Sequence, residues 1–143
     1  MSVDDKIQHR VLDKPLPAPT PTSRPFWDAL HDGRVRLQQC VDCSGWVFYP
    51  RTRCSHCLSD QLVWREVSGH GTLYTFTIAR QPTAPQFADE SPQLLAVVET
   101  DEGVRLTTTL VNVAEADIKI GMQLRPYFDR VTPDVTLLRY QPA

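Results

Sequence analysis

Four cysteines gathered into two Cys-x2-Cys pairs, alternating strands through the second half, and one short proline-started amphipathic stretch near the front predict a mainly β chain. The order expected is an N-terminal helical segment, a rubredoxin-like zinc ribbon, then a five-stranded OB-fold barrel. The chain has 143 residues, 41% of them hydrophobic and 22% charged, which suits one or two small packed domains and excludes wholesale disorder. Its formal net charge of −2 argues against a dedicated nucleic-acid binder, which needs a basic face. No apolar run is long enough to cross a membrane as a helix. The first ten residues show no apolar core of a secretory signal. Cysteines spaced for a metal knuckle rather than spread for disulfides point to a reducing, cytoplasmic setting.

Residues 1–33 read as a proline-rich arm and a docking helix. Pro15, Pro17, Pro19 and Pro21 fall at every second position, which forbids a helix and favours an extended arm, either a leader or a strap along a partner. From Ser23 to Gly33 a short helix is expected, with Ser23 as N-cap, Pro25 in the first turn and Gly33 as the stop. Phe26, Trp27, Ala29 and Leu30 give it an apolar side. Adjacent Phe26 and Trp27 point about 100° apart. One therefore faces the chain's own core and the other a partner, or both are core. A helix this short needs an external surface, so Phe26, Trp27 and Leu30 are the expected partner-interface residues. Deletion of 1–33 is expected to leave the rest folded.

Residues 34–66 are the ribbon. The spacing Cys40-x2-Cys43-x10-Cys54-x2-Cys57 brings four thiolates to one tetrahedral point, with strands expected at 34–38, 46–49 and 61–67. Four sulfurs close a zinc shell and leave no position for water or substrate, so the metal is structural; iron is the alternative in the same geometry. So small a module lacks an adequate core and folds on its metal. His56, inside the second knuckle, is surplus to the four sulfurs and is expected to face solvent.

Residues 67–143 are the barrel. Gly69 and Gly71 flank a turn, and Thr72–Ile78 alternates polar and apolar residues as a half-buried strand does. Pro82, Pro85 and Pro92 mark 80–92 as a loop. Strands at 94–99 and 104–110 enclose the Asp101-Glu102-Gly103 hairpin turn. A short helical connector at 114–117 precedes strands at 122–128 and 135–140. Five strands with a helical piece after the third match an OB barrel; an SH3-like barrel or a small sandwich is the competing arrangement.

Catalytic constellations are thin. No phosphate loop, nucleophile elbow or His-Glu-x-x-His occurs, all four cysteines belong to the metal, and His9, His31 and His70 are scattered. Arg51 and Arg53 flank the second knuckle and suit either the balancing of the thiolate charge or contacts to a phosphate. Tyr74, Phe76, Tyr127 and Phe128 are stacking aromatics only if the barrel is a nucleic-acid binder, which its acidic balance disfavours.

Phe26-Trp27, the two Cys pairs, Val47-Phe48-Tyr49-Pro50-Arg51, Ser68-Gly69-His70-Gly71, Val97-Val98-Glu99 and Ile120-Gly121-Met122 occur in order. In that string the chain resembles the zinc-ribbon/OB-fold acyl-CoA-associated proteins, from about residue 23 to 130. It departs where that family often has glycine directly after a Cys pair: here stand Ser44 and Leu58. The resemblance implies a non-catalytic accessory subunit of a thiolase-fold enzyme, such as a thiolase or a lipid-transfer-protein-like aldolase, or of a MaoC-like hydratase in steroid side-chain degradation. It implies a hetero-oligomer in which the small subunit helps shape the acyl-CoA site, with Arg51 and Arg53 as the expected contacts to CoA phosphates. A free-standing acyl-CoA binder and a zinc-ribbon/OB nucleic-acid protein are the alternatives.

Overall fold

The computed structural model describes residues 14–143. The earlier part of the proline-rich arm lies outside the described residues. Its last part does not stand away from the molecule: Lys14 pairs with Glu90 at 2.5 Å and lies over the Phe87 ring.

Helix α1 spans Arg24–His31. Ser23 does not cap it in the expected way. Thr20 and Ser23 bond reciprocally instead: the Ser23 amide donates to Thr20 Oγ1 at 3.2 Å and the Thr20 amide donates to Ser23 Oγ at 3.0 Å. This exchange is a capping box one turn upstream, and it buries Ser23. Phe26, Ala29 and Leu30 form the buried face, with Leu30 wholly inaccessible.

Strands β1 (Val35–Cys40), β2 (Trp46–Val47) and β3 (Leu62–Val67) form an antiparallel sheet in the order β2-β1-β3. The expected second strand stops two residues early. Gln38, buried on β1, donates to the Arg51 carbonyl and accepts the Arg51 amide, both at 2.9 Å, which draws Phe48–Pro50 away from the sheet. The Phe48–Tyr49 and Ser91–Pro92 peptides are cis.

The second sheet contains β4 (Gly71–Ala79), β5 (Gln93–Thr100), β6 (Arg105–Thr109), β7 (Gln123–Arg130) and β8 (Thr136–Pro142), in the order β6-β5-β4-β7-β8. A bulge between Leu73 and Thr75 turns Tyr74 outward. A single parallel bridge, Leu110 to Tyr140, joins the chain after β6 to β8. That contact brings the third barrel strand beside the fifth, the closure of an OB barrel, and separates this fold from an SH3-like barrel or a sandwich.

Two cores result. Leu73, Ala96, Val98, Leu106, Leu110, Ile118, Leu124 and Tyr140 fill the barrel. Phe26, Leu30 and Val35 form a second cluster where α1 meets ribbon and barrel. The helix therefore belongs to the chain's own core. The expectation that residues 1–33 are dispensable for folding is corrected: their removal uncovers Val35, Phe48 and Leu138.

Ribbon and barrel meet at the Ser68–Gly71 turn. Gly69 has φ +75°, and a Cβ there would lie 2.6 Å from Pro126 Cγ and 2.8 Å from Val35 Cγ2. The Tyr140 hydroxyl donates to the Gly69 carbonyl at 2.7 Å, and burial pushes the Tyr140 phenol far above its usual range. Tyr140→Phe strands that carbonyl in the core and is expected to cost about 1–3 kcal/mol. A urea midpoint unchanged from wild type would contradict this.

Candidate functional site: a metal centre beside an aromatic cleft

The two knuckles are built alike. The Ser44 amide donates to the Cys40 carbonyl and the Leu58 amide to the Cys54 carbonyl, both at 2.9 Å. Each loop closes on itself, Cys40 N–H to Gly45 O at 2.9 Å and Cys54 N–H to Ser59 O at 2.8 Å. Ser44 and Leu58, the residues that replace glycine, adopt left-handed φ values of 62° and 65°. Non-glycine residues take that conformation at a cost of about 1–2 kcal/mol. Both knuckles nevertheless close.

The four sulfurs converge. Cys40, Cys43, Cys54 and Cys57 hold their ligand atoms within 4.8 Å of one another, and the Cys40–Cys57 and Cys43–Cys54 sulfurs are each 3.6 Å apart. A tetrahedron with zinc–sulfur bonds of about 2.3 Å has an edge of about 3.8 Å. The cluster fits Zn²⁺ on this geometry. Backbone amides support the sulfurs, Gly45 N–H on Cys43 at 3.4 Å and His56 N–H on Cys54 at 3.3 Å. The Cys43 backbone holds the Cys40 thiol down to about 7. At Cys57 the Ser59 backbone pulls downward, but desolvation and the three neighbouring cysteines outweigh it and raise the thiol to about 12. Four thiolates this close require a cation among them. The site is a structural zinc site with all four ligands supplied by the chain.

His56 is exposed but not a bystander. Its Nε2 lies 3.0 Å from the Trp46 carbonyl and its ring covers Gly45, tying the second knuckle to the first. Arg51 Nε donates to the Tyr49 carbonyl at 3.3 Å and Arg53 Nη1 to the Leu58 carbonyl at 3.1 Å, with both residues on the surface of the ribbon. Of the three expected interface residues, Phe26 and Leu30 are buried in the chain's own core, and only Trp27 retains surface.

Trp27 opens onto a feature that the sequence did not disclose. A cleft of about 630 Å³ runs between β6, β8 and the end of the ribbon hairpin. Phe26, Trp27, Phe48 and Tyr49 line one side with edge-to-face ring contacts, and Trp27 Nε1 donates to the Tyr49 hydroxyl at 3.1 Å. Leu106, Thr107 and Leu138 are among the residues opposite. The only hint in the sequence was two pairs of consecutive aromatics. Nothing there says that positions 26–27 and 48–49 meet.

A four-cysteine ribbon followed by an OB barrel, packed together through one helix, defines a two-module ribbon-and-barrel class. Its ribbon matches the model described as "ChsH2, rubredoxin-like zinc ribbon domain" over residues 27–63, and its barrel "ChsH2, C-terminal OB-fold domain" over 64–129. The chain belongs to the ChsH2/DUF35 family. It is 32% identical over 99 residues to a DUF35 domain-containing scaffold protein of Methanocaldococcus jannaschii, covering 67% of this chain and 68% of that protein. It is 33% identical over 130 residues to a probable enoyl-CoA hydratase alpha subunit of Thermomonospora curvata, covering 91% of this chain but only 40% of that protein. A solved chain of an Ltp2-ChsH2(DUF35) aldolase superposes with a TM-score of 0.78 at 32% identity, over 88% of this chain and 98% of that one. Among the described residues no helix is long and apolar enough to cross a membrane.

Proposed function

We propose that this chain is a non-catalytic partner subunit that binds a thiolase-fold aldolase or a MaoC-like hydratase acting on acyl-CoA and forms part of the acyl-CoA site. The observation that carries the reading is the match to nearly the whole length of one chain of an Ltp2-ChsH2(DUF35) aldolase. The chemistry of the described residues supports it. All four cysteines are consumed by the metal cluster. His56 is engaged with a backbone carbonyl, and His31 and His70 lie exposed on separate elements. In this reading Trp27 and Tyr49 present the surface the partner covers, since aromatic anchors dominate interface energies. Arg51 and Arg53, exposed on the ribbon, contact CoA phosphates.

Co-expression with thiolase-fold and hydratase subunits from the same genome tests the reading. The expected result is a zinc-loaded complex that turns over acyl-CoA, while the purified chain alone does not. Turnover by the chain alone after rigorous repurification, or failure to associate with either kind of enzyme, refutes it.

A further inference from the structure

We propose that the free edge of β6 is a strand-addition site, where an extended segment of the partner enzyme pairs with Arg105–Thr109 and fills the aromatic cleft. The inference rests on the partner-subunit reading and adds the mode of attachment.

The register fixes which backbone groups are free. Thr100 N–H donates to Val104 O at 2.9 Å and Leu110 N–H to Leu94 O at 2.8 Å, so alternate residues from Val104 to Leu110 turn their polar backbone toward β5. Arg105, Thr107 and Thr109 turn theirs the other way, toward β8. There the seam is fastened at one end only: Val111 N–H meets Tyr140 O at 2.9 Å, Thr108 Oγ1 meets Leu138 O at 2.8 Å, and Arg139 reaches Thr109 Oγ1. Beyond that point the strands part and the cleft lies between them. Among the described residues the one bridge across that seam is Leu110 to Tyr140, and no ladder pairs Arg105 or Thr107 with β8. The facing edge of β8 is not equally available, because Thr136 is buried and Leu138 packs into both cores.

Exposed edges are ordinarily guarded by proline, lysine, a bulge or a covering element. The stretch Arg105-Leu106-Thr107-Thr108-Thr109 has no proline or lysine, and it pairs with β5 without a register shift. Its one charge is drawn aside: Arg105 Nε donates to Glu99 at 2.9 Å and the guanidinium lies 3.8 Å from the Tyr74 ring centroid. An unguarded edge beside an apolar trough specifies its occupant. The edge asks for an extended backbone, and the trough takes alternate apolar side chains. The strand offers about 17 Å of such edge.

Amide hydrogen exchange on the zinc-loaded chain, alone and in complex with the co-purified enzyme, tests the site directly. The Arg105 and Thr107 amides are expected to exchange at least about tenfold more slowly in the complex. Thr107→Pro removes the outward amide without breaking a bond to β5, and is expected to weaken the complex about tenfold or more. Thr107→Ala, which keeps the amide, is expected to change it less than about threefold. Zinc content and urea midpoint check that each variant is folded. If Thr107→Pro fails that check, the wild-type exchange result decides. A complex that forms while these amides exchange as in the free chain, or that a folded Thr107→Pro variant forms undiminished, overturns the strand site and leaves the partner reading standing. Protection of the same amides in a dimer of the chain alone makes the occupant a second copy and also overturns it. Failure of the wild-type chain to associate with any such enzyme removes the partner reading and the strand site with it.

Discussion

Cys54→Ala is expected to abolish zinc binding and unfold the ribbon. Cys54 is fully buried, its sulfur lies 3.6 Å from that of Cys43, and it accepts the His56 amide. Structural zinc in small modules carries about 10–16 kcal/mol of apparent binding free energy at neutral pH. The ribbon's own buried cluster is Val47 with two of the ligands, Cys40 and Cys54, and Leu62 packed against it. Such a cluster cannot offset a loss of that size. The left-handed Ser44 and Leu58 lose their compensation with the metal. Metal analysis is expected to fall from one zinc per chain to none, with amide protection lost across β1–β3. A variant that keeps ribbon protection without metal would contradict this account.

Leu30→Ala is expected to cost about 2–5 kcal/mol, a large part of the 5–15 kcal/mol typical of a whole domain. Leu30 is wholly inaccessible and sits with Phe26 and Val35 where helix, ribbon and barrel meet. The cavity has rigid walls on three sides and cannot collapse freely. Trp27→Ala on the same helix removes a half-exposed ring and one hydrogen bond to Tyr49, and is expected to cost about half as much or less. Urea titration separates the two. Equal losses would mean that Trp27 is as much a core residue as Leu30, leaving no aromatic surface on the helix for a partner.

The metal centre was legible in the sequence because its chemistry is local: four cysteines at knuckle spacing need only short loops to converge. The barrel strands were legible because alternation is also local. The Asp101–Gly103 hairpin is where turn chemistry placed it, with Gly103 at φ 91° and its amide on the Thr100 carbonyl. What escaped was non-local. Ser23 has the composition of an N-cap, but Thr20 competes for its hydroxyl and wins. Phe26 and Leu30 read as a docking face because nothing in the sequence shows that Val35, Phe48 and Leu138 cover them. His56 reads as decoration because its partners, Gly45 and the Trp46 carbonyl, belong to the other knuckle. The cleft joins residues 26–27, 48–49, 105–109 and 137–139, a set no linear pattern connects.

Phe48 and Leu138 each pack against both cores, one contributed by the ribbon and the other by the last barrel strand. The zinc is thereby a keystone for parts of the molecule it never touches. Loss of the metal is expected to loosen Phe48's contacts with the barrel as well as with the helix, and one wall of the cleft with them. A chelator that unfolds the ribbon is therefore expected to lower the stability of the barrel too, without unfolding it outright.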